Sequence, residues 1–119
     1  LDRLLGRLGR SDAWWGHLAR FGAGQIDYAA LIKLAKTRGE RTEADFYEAA
    51  RRITAGDLAG ARSLLQKVLD SMMVGFYEFQ MAQELMLLDD AQLRRKRIQP
   101  PIPTPVAQPK PPASPSASR

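Results

Sequence analysis

The sequence predicts an all-α protein: a small bundle of four to six helices with a long C-terminal helix and a Pro-rich extended tail. All eight prolines fall at or after Pro100, so residues 1–98 lack the residue that most strongly interrupts a helix. β-Branched residues, which favour strands, are few in that part of the chain. Its apolar residues recur at three- and four-residue spacing, as on one face of a helix. The chain therefore divides into a helical domain, 1–98, and an extended or disordered tail, 99–119, which has too few apolar side chains to form a core.

The N-terminal third predicts three short helices. Residues 1–10 carry a stripe of leucines opposite a row of arginines. Ser11 has the side chain of a helix N-cap and would begin a second helix over 12–21. Asp27 would begin a third helix, and Gly39 would end it.

A fourth helix is predicted from a capping pattern at Thr42 and Asp45 and would continue through Thr54. The Ala-Gly pair ending at Gly56 would terminate it, and Asp57 would cap the next helix. The central part of the chain is therefore expected to form two helices joined by a tight turn.

The region 43–69 resembles one tetratricopeptide helix-turn-helix. Gly56, Asp57, Leu58 and Ala61 stand at the spacing that this repeat uses in its turn and second helix. The resemblance implies a helical hairpin. The chain contains no second copy of the pattern.

From Leu58 to Pro100 no residue forces a helix to end, because Gly60 and Gly75 only weaken one. The sequence thus allows a single helix of about 40 residues, roughly 60 Å long. A break near 70–75 is the alternative.

The segment 72–88, MMVGFYEFQMAQELMLL, contains all four methionines of the chain. On a helix its apolar side chains would cover nearly the whole circumference, so most of that surface must be covered. The segment is either the central core helix or in part the contact with a partner protein or a second copy. Met and aromatic side chains adapt well to protein interfaces. The candidate partner-binding residues here are Met72, Met73, Phe76, Tyr77, Phe79, Met81 and Met86.

Trp14 and Trp15 are adjacent and would point about 100° apart on a helix. We expect one of them in the core and the other half-exposed. The alternative is that one anchors a partner, which adds both to the candidate partner-binding residues.

The basic charge of the chain is concentrated near its C-terminus. Residues 1–93 carry a net charge of −1, whereas Arg94, Arg95, Lys96 and Arg97 add four positive charges. This cluster is a solvated helix end, a contact for nucleic-acid phosphates, or a contact for an acidic protein or anionic membrane.

The tail contains Pro100, Pro101 and Pro103, and with Arg97 it forms an Arg-x-x-Pro-x-x-Pro pattern. Such a pattern is recognised as a polyproline II helix by aromatic grooves. A spacer or an extended arm over a neighbouring surface is the other interpretation.

Composition excludes several classes of site. The chain has no cysteine and a single histidine, His17, so we expect neither a metal nor a cofactor. No Ser/His/Asp set or phosphate-binding glycine loop is present, and we expect no enzyme and no small-molecule substrate. No stretch is long and apolar enough for a membrane span.

The sequence therefore predicts a non-enzymatic structural or adaptor subunit of a larger protein assembly, a homo- or hetero-oligomer. Its contacts would be the apolar Met/aromatic helix and the Pro-rich tail. Two alternatives remain. One is a nucleic-acid-associated protein that uses the basic cluster together with Arg3, Arg7 and Arg10. The other is a small helical chaperone for a partner protein.

Overall fold

A computed structural model describes residues 12–98, and within this range every regular element is an α-helix, as predicted. The expected helix over 1–10, the Ser11 cap and the tail 99–119 lie outside the described residues. The six described helices are α1 (Asp12–Gly22), α2 (Tyr28–Leu34), α3 (Arg38–Ala55), α4 (Leu58–Asp70), α5 (Tyr77–Met86) and α6 (Asp90–Arg94).

Two of the predicted helix starts are confirmed by side-chain caps. The carboxylate of Asp27 accepts a hydrogen bond from the Ala30 amide at 2.9 Å and begins α2. The carboxylate of Asp57 accepts one from the Gly60 amide at 3.0 Å and begins α4. Between α3 and α4, Gly56 has a φ of 89°, a left-handed conformation that glycine adopts without a steric penalty.

The predicted boundary between the third and fourth helices is wrong. α2 ends at Leu34, and α3 begins at Arg38, five residues before the predicted start after Thr42. The cap is Thr37, whose hydroxyl accepts a hydrogen bond from the Glu40 amide at 3.0 Å. Thr42 instead lies inside α3, where its hydroxyl donates to the Arg38 carbonyl at 2.9 Å.

The predicted long C-terminal helix is also wrong, and the alternative break near 70–75 is confirmed. The chain from Leu58 to Arg94 forms three helices, α4, α5 and α6, rather than one. After α4, the Ser71 hydroxyl donates to the Val68 carbonyl at 2.6 Å and accepts from the Met73 amide at 3.2 Å. A straight helix would expose its apolar circumference to water, whereas the folded-back chain packs α5 against both α3 and α4.

The second break precedes α6 and has a complete capping box. The Asp89 carboxylate accepts from the Gln92 amide at 2.8 Å, and the Gln92 side chain accepts from the Asp89 amide at 3.0 Å. The Arg62 guanidinium, on α4, binds both the Leu88 carbonyl and the Asp90 carboxylate, which fixes this turn against α4.

α3 is the central helix of the described part. It forms a hairpin with α4, and α1, α2, α5 and α6 all contact it. The largest fully buried side chains come from all six helices, and they include Trp14, Leu18, Leu31, Phe46, Ile53, Leu65, Leu85 and Leu93.

Candidate protein-interaction surfaces

The two tryptophans divide between core and surface as expected. Trp14 is 1% exposed, and its indole Nε1 donates to Glu43 Oε1 at 2.7 Å. Trp15 is half-buried at the edge of the core. The structure therefore removes Trp14 from the candidate partner-binding surface and leaves Trp15 on it.

Three buried glutamates were not predicted from the sequence. Glu43 and Glu48 lie on α3 and Glu78 on α5, each no more than 1% exposed. Glu78 Oε2 accepts from the Tyr47 hydroxyl at 2.9 Å, which connects α5 to α3. Since Glu43 accepts from Trp14, two of these carboxylates join neighbouring helices to the central helix.

Glu48 is held by two arginines on its own helix. Arg51 donates through Nε and Nη2, and Arg52 donates through Nε, at 2.7–2.8 Å. Burial alone would raise the pKa of Glu48, but these hydrogen bonds outweigh it, and the pKa lies below its ordinary value. The i, i+3 and i, i+4 spacings are a signal that the sequence already contains.

A second pair fastens α2 to α3. The Tyr28 hydroxyl donates to Asp45 Oδ1 at 2.6 Å. Burial raises the pKa of both groups, and for Tyr28 the hydrogen bond to Asp45 raises it further. Within residues 12–98 no three His, Asp or Glu side chains are grouped to hold a metal ion.

Two of the three exposed large apolar side chains within residues 12–98 lie in the loop between α4 and α5, hereafter the 71–76 loop, and the third is Leu87, just after α5. Met72 is 67% exposed and Val74 is 58% exposed. Met73 and Phe76 are half-buried against α3, where a β-carbon at Gly39 would lie only 2.9 Å from Phe76 Cζ. Glycine at this position therefore lets the loop sit close to the start of α3.

The remaining apolar residues of the segment lie mostly on α5, and all of them except Leu87 are buried or half-buried. Phe79 is 7% exposed and therefore a core residue, which removes it from the candidate surface. Tyr77, Met81 and Met86 are half-buried. The helix thus matches the core interpretation, while the preceding loop retains the features of a contact surface.

A groove that the sequence did not predict runs between the end of α1 and the C-terminal half of α3, hereafter the α1–α3 groove. It encloses about 380 Å³. Its lining is mostly apolar and includes Phe21, Gly24, Tyr47, Ala50, Thr54 and Ile98. A wider and more polar pocket of about 720 Å³ adjoins it and shares Phe21, Gly24 and Arg51 with it.

The basic cluster begins with Arg94, the last residue of α6, and continues beyond the helix. Arg94, Arg95, Lys96 and Arg97 are all exposed. The Arg97 guanidinium donates to the carbonyls of Arg94 and Lys96, and within the described residues none of the four forms an ion pair with a carboxylate. Pro100, Pro101 and Pro103 lie outside the described residues.

None of the helices in 12–98 has the length and apolar character needed to cross a membrane. No protein-family model matches the chain, and no match exists among curated proteins or solved structures. The region 43–69, whose sequence resembles a tetratricopeptide helix-turn-helix, lies in the helical hairpin of α3 and α4.

Proposed function

We propose that this protein is a non-enzymatic subunit of a protein assembly, which it enters by contact between copies of the chain through the 71–76 loop. The observation that carries the proposal is Met72. Its backbone has a φ of 58°, and its side chain is 67% exposed. A left-handed conformation costs an L-residue about 1–2 kcal/mol, and such strain concentrates at functional positions.

The surroundings of Met72 support a contact surface. Met73 and Phe76 anchor the loop on Gly39, so that Met72 and Val74 are held outward. Exposed apolar groups held in this way favour burial against another protein.

A second copy is the favoured partner because the loop is electrically neutral. No charged side chain occurs in residues 71–77. In a two-fold symmetric contact the same patch lies on both sides, so a charge on it would face its own copy. The loop is much smaller than the roughly 800 Å² per partner of a stable interface, so we expect weak, concentration-dependent association.

The test is light scattering coupled to size-exclusion chromatography over a range of concentrations. The wild-type chain should rise from 13.3 kDa toward a multiple of it as concentration increases. Met72→Asn combined with Val74→Ser should hold the chain at the monomer mass, since asparagine tolerates the left-handed backbone while both changes remove apolar surface. Leu87→Ser is the matched control, because Leu87 is 86% exposed but lies outside the loop. A wild-type monomer at every concentration, or equal loss in both variants, would contradict the proposal.

A further inference from the structure

The α1–α3 groove leads directly to the end of the described chain. Ile98 is its last described residue, lines the groove and packs against the core. The chain continues for 21 residues beyond it, and Pro100 follows after a single intervening residue. The tail therefore begins at the groove itself.

The groove and the first proline cluster match in length. Its lining on α3 runs from Tyr47 to Ala55, nine residues that occupy about 14 Å of helix at 1.5 Å per residue. Residues 100–103, Pro-Pro-Ile-Pro, span about 12 Å as a polyproline II segment at 3.1 Å per residue.

The chemistry matches as well. The aromatic residues Phe21 and Tyr47, each 6% exposed, line the floor of the groove, and polyproline II segments are bound by aromatic-lined grooves. Such a segment has no internal hydrogen bonds, so its carbonyls need donors. Arg51 lines the groove, its side chain is 56% exposed, and a guanidinium has more N–H groups than the two that Glu48 engages.

We propose that residues 100–103 of the same chain dock into the α1–α3 groove as a polyproline II segment. Only one residue separates Ile98 from this segment, so the effective concentration of the segment at the groove is about millimolar. A free peptide would have to be added at that concentration to occupy the groove to the same extent. Docking covers the apolar lining of the groove and directs residues 104–119 outward from a fixed point. Docking of the tail does not involve the 71–76 loop, because that loop contacts α3 at Gly39, about 22 Å along the helix from Thr54.

Paramagnetic relaxation in the full chain tests the proposal. The chain has no cysteine, so Thr104→Cys creates a single attachment point for a nitroxide immediately after the docked segment. The chain that carries both ¹⁵N and the nitroxide is diluted with unlabelled chain that has no nitroxide, so that only effects within one molecule are observed. The amide signals of Gly22 and Gly24 should then lose most of their intensity. The amide of Gly75, in the 71–76 loop, should keep its intensity.

Two sets of variants separate docking from chance proximity. Replacing Pro100, Pro101 and Pro103 with serine should restore part of the Gly22 and Gly24 signal intensity, since a free tether of about six residues from Ile98 still brings the nitroxide near the groove for part of the time. The same three-fold change at Pro109, Pro111 and Pro112 is the matched control and should leave the loss in place. Thr54→Arg should also restore part of the signal intensity, because Thr54 lines the groove and is exposed in the last turn of α3, where a cation is compatible with folding.

Other outcomes overturn the proposal. Signal loss that appears only when spin-labelled ¹⁴N chain is mixed with label-free ¹⁵N chain assigns the groove to the tail of a second copy. Equal loss throughout the molecule, or none, shows that the tail does not occupy the groove. Met72→Asn with Val74→Ser should leave the result unchanged, so failure here and failure of the proposed assembly can be told apart.

Discussion

Glu48 is the residue whose titration should matter most for stability. Its pKa is lowered in the folded protein, because the hydrogen bonds from Arg51 and Arg52 outweigh the effect of burial. A lowered pKa contributes stability that is fully present above the ordinary glutamate range and is lost as the pH falls through the folded value. We expect Glu48→Gln to cost about 1 kcal/mol at neutral pH, because it removes the charged hydrogen bonds from Arg51 and Arg52, whose side chains are 56% and 35% exposed and stay solvated. Chemical denaturation at pH 7 and pH 3 should show a smaller acid-induced loss in this variant than in the wild type.

Asp45 provides the opposite control. Burial raises its pKa in the folded state, so its contribution to stability is largest when it is protonated and is lost as the pH rises through the folded value. Asp45→Asn keeps an oxygen to accept from Tyr28 and should not lower stability at pH 7.

If Glu48→Gln shows the full acid-induced loss of the wild type, Glu48 is not the titrating group.

Single residues differ in how far their partners follow from the sequence. The contact of Glu48 with Arg51 and Arg52 follows from helical spacing alone once α3 is assigned. The contact of Trp14 with Glu43 spans 29 residues and depends on how α1 packs against α3. Helical periodicity predicts the contacts of Glu48 within α3, but it carries no information on the contact between Trp14 and Glu43.

At the scale of an element, α3 depends on its N-cap. Thr37→Ala should destabilise the protein by about 1 kcal/mol, because the Glu40 amide loses its hydrogen-bond acceptor. Thr37→Ser keeps the hydroxyl and should retain most of the wild-type stability. Urea denaturation measures both, with a lower midpoint and an unchanged slope expected for alanine. Equal stability of the two variants would show that the cap does not support α3.

The boundaries of the helices were harder to predict than their presence. Thr37-x-x-Glu40 and Thr42-x-x-Asp45 both fit the spacing of a capping motif. The choice between them depends on packing, because Thr42 is 2% exposed and belongs inside the buried face of α3. The capping box at Asp89 and Gln92 was available as a signal for the last break, whereas no strong helix breaker marks the break after Asp70.

At the scale of the molecule, both candidate surfaces arise from residues that are far apart in the chain. The α1–α3 groove brings Phe21, Tyr47 and Ile98 together, and the 71–76 loop rests on Gly39. The Met-rich composition of 72–88 did indicate an unusual apolar segment. Only the tertiary fold separates its core helix from its exposed loop.

The distribution of charge over the whole molecule makes a further prediction. The excess positive charge lies toward one end, since residues 1–93 carry −1, the basic cluster carries +4, and Lys110 with Arg119 add +2. Any affinity for nucleic acid should therefore come from that end, without sequence preference. If all four cations contact phosphates, binding to duplex DNA should fall about a hundredfold between 50 and 200 mM salt.

Two variants of equal net charge decide whether the cluster or the overall charge is responsible. Replacing the four cluster residues with serine should abolish DNA binding in a fluorescence anisotropy titration. The matched control replaces four other exposed cations with serine and should bind like the wild type. These cations are Lys33, Lys36, Arg38 and Arg41. Equal loss in both variants would assign binding to net charge alone, because both lower the charge from +5 to +1. A wild-type chain that does not bind at 50 mM salt would show that four adjacent exposed cations do not suffice, which leaves a solvated helix end or a contact for an acidic protein or an anionic membrane.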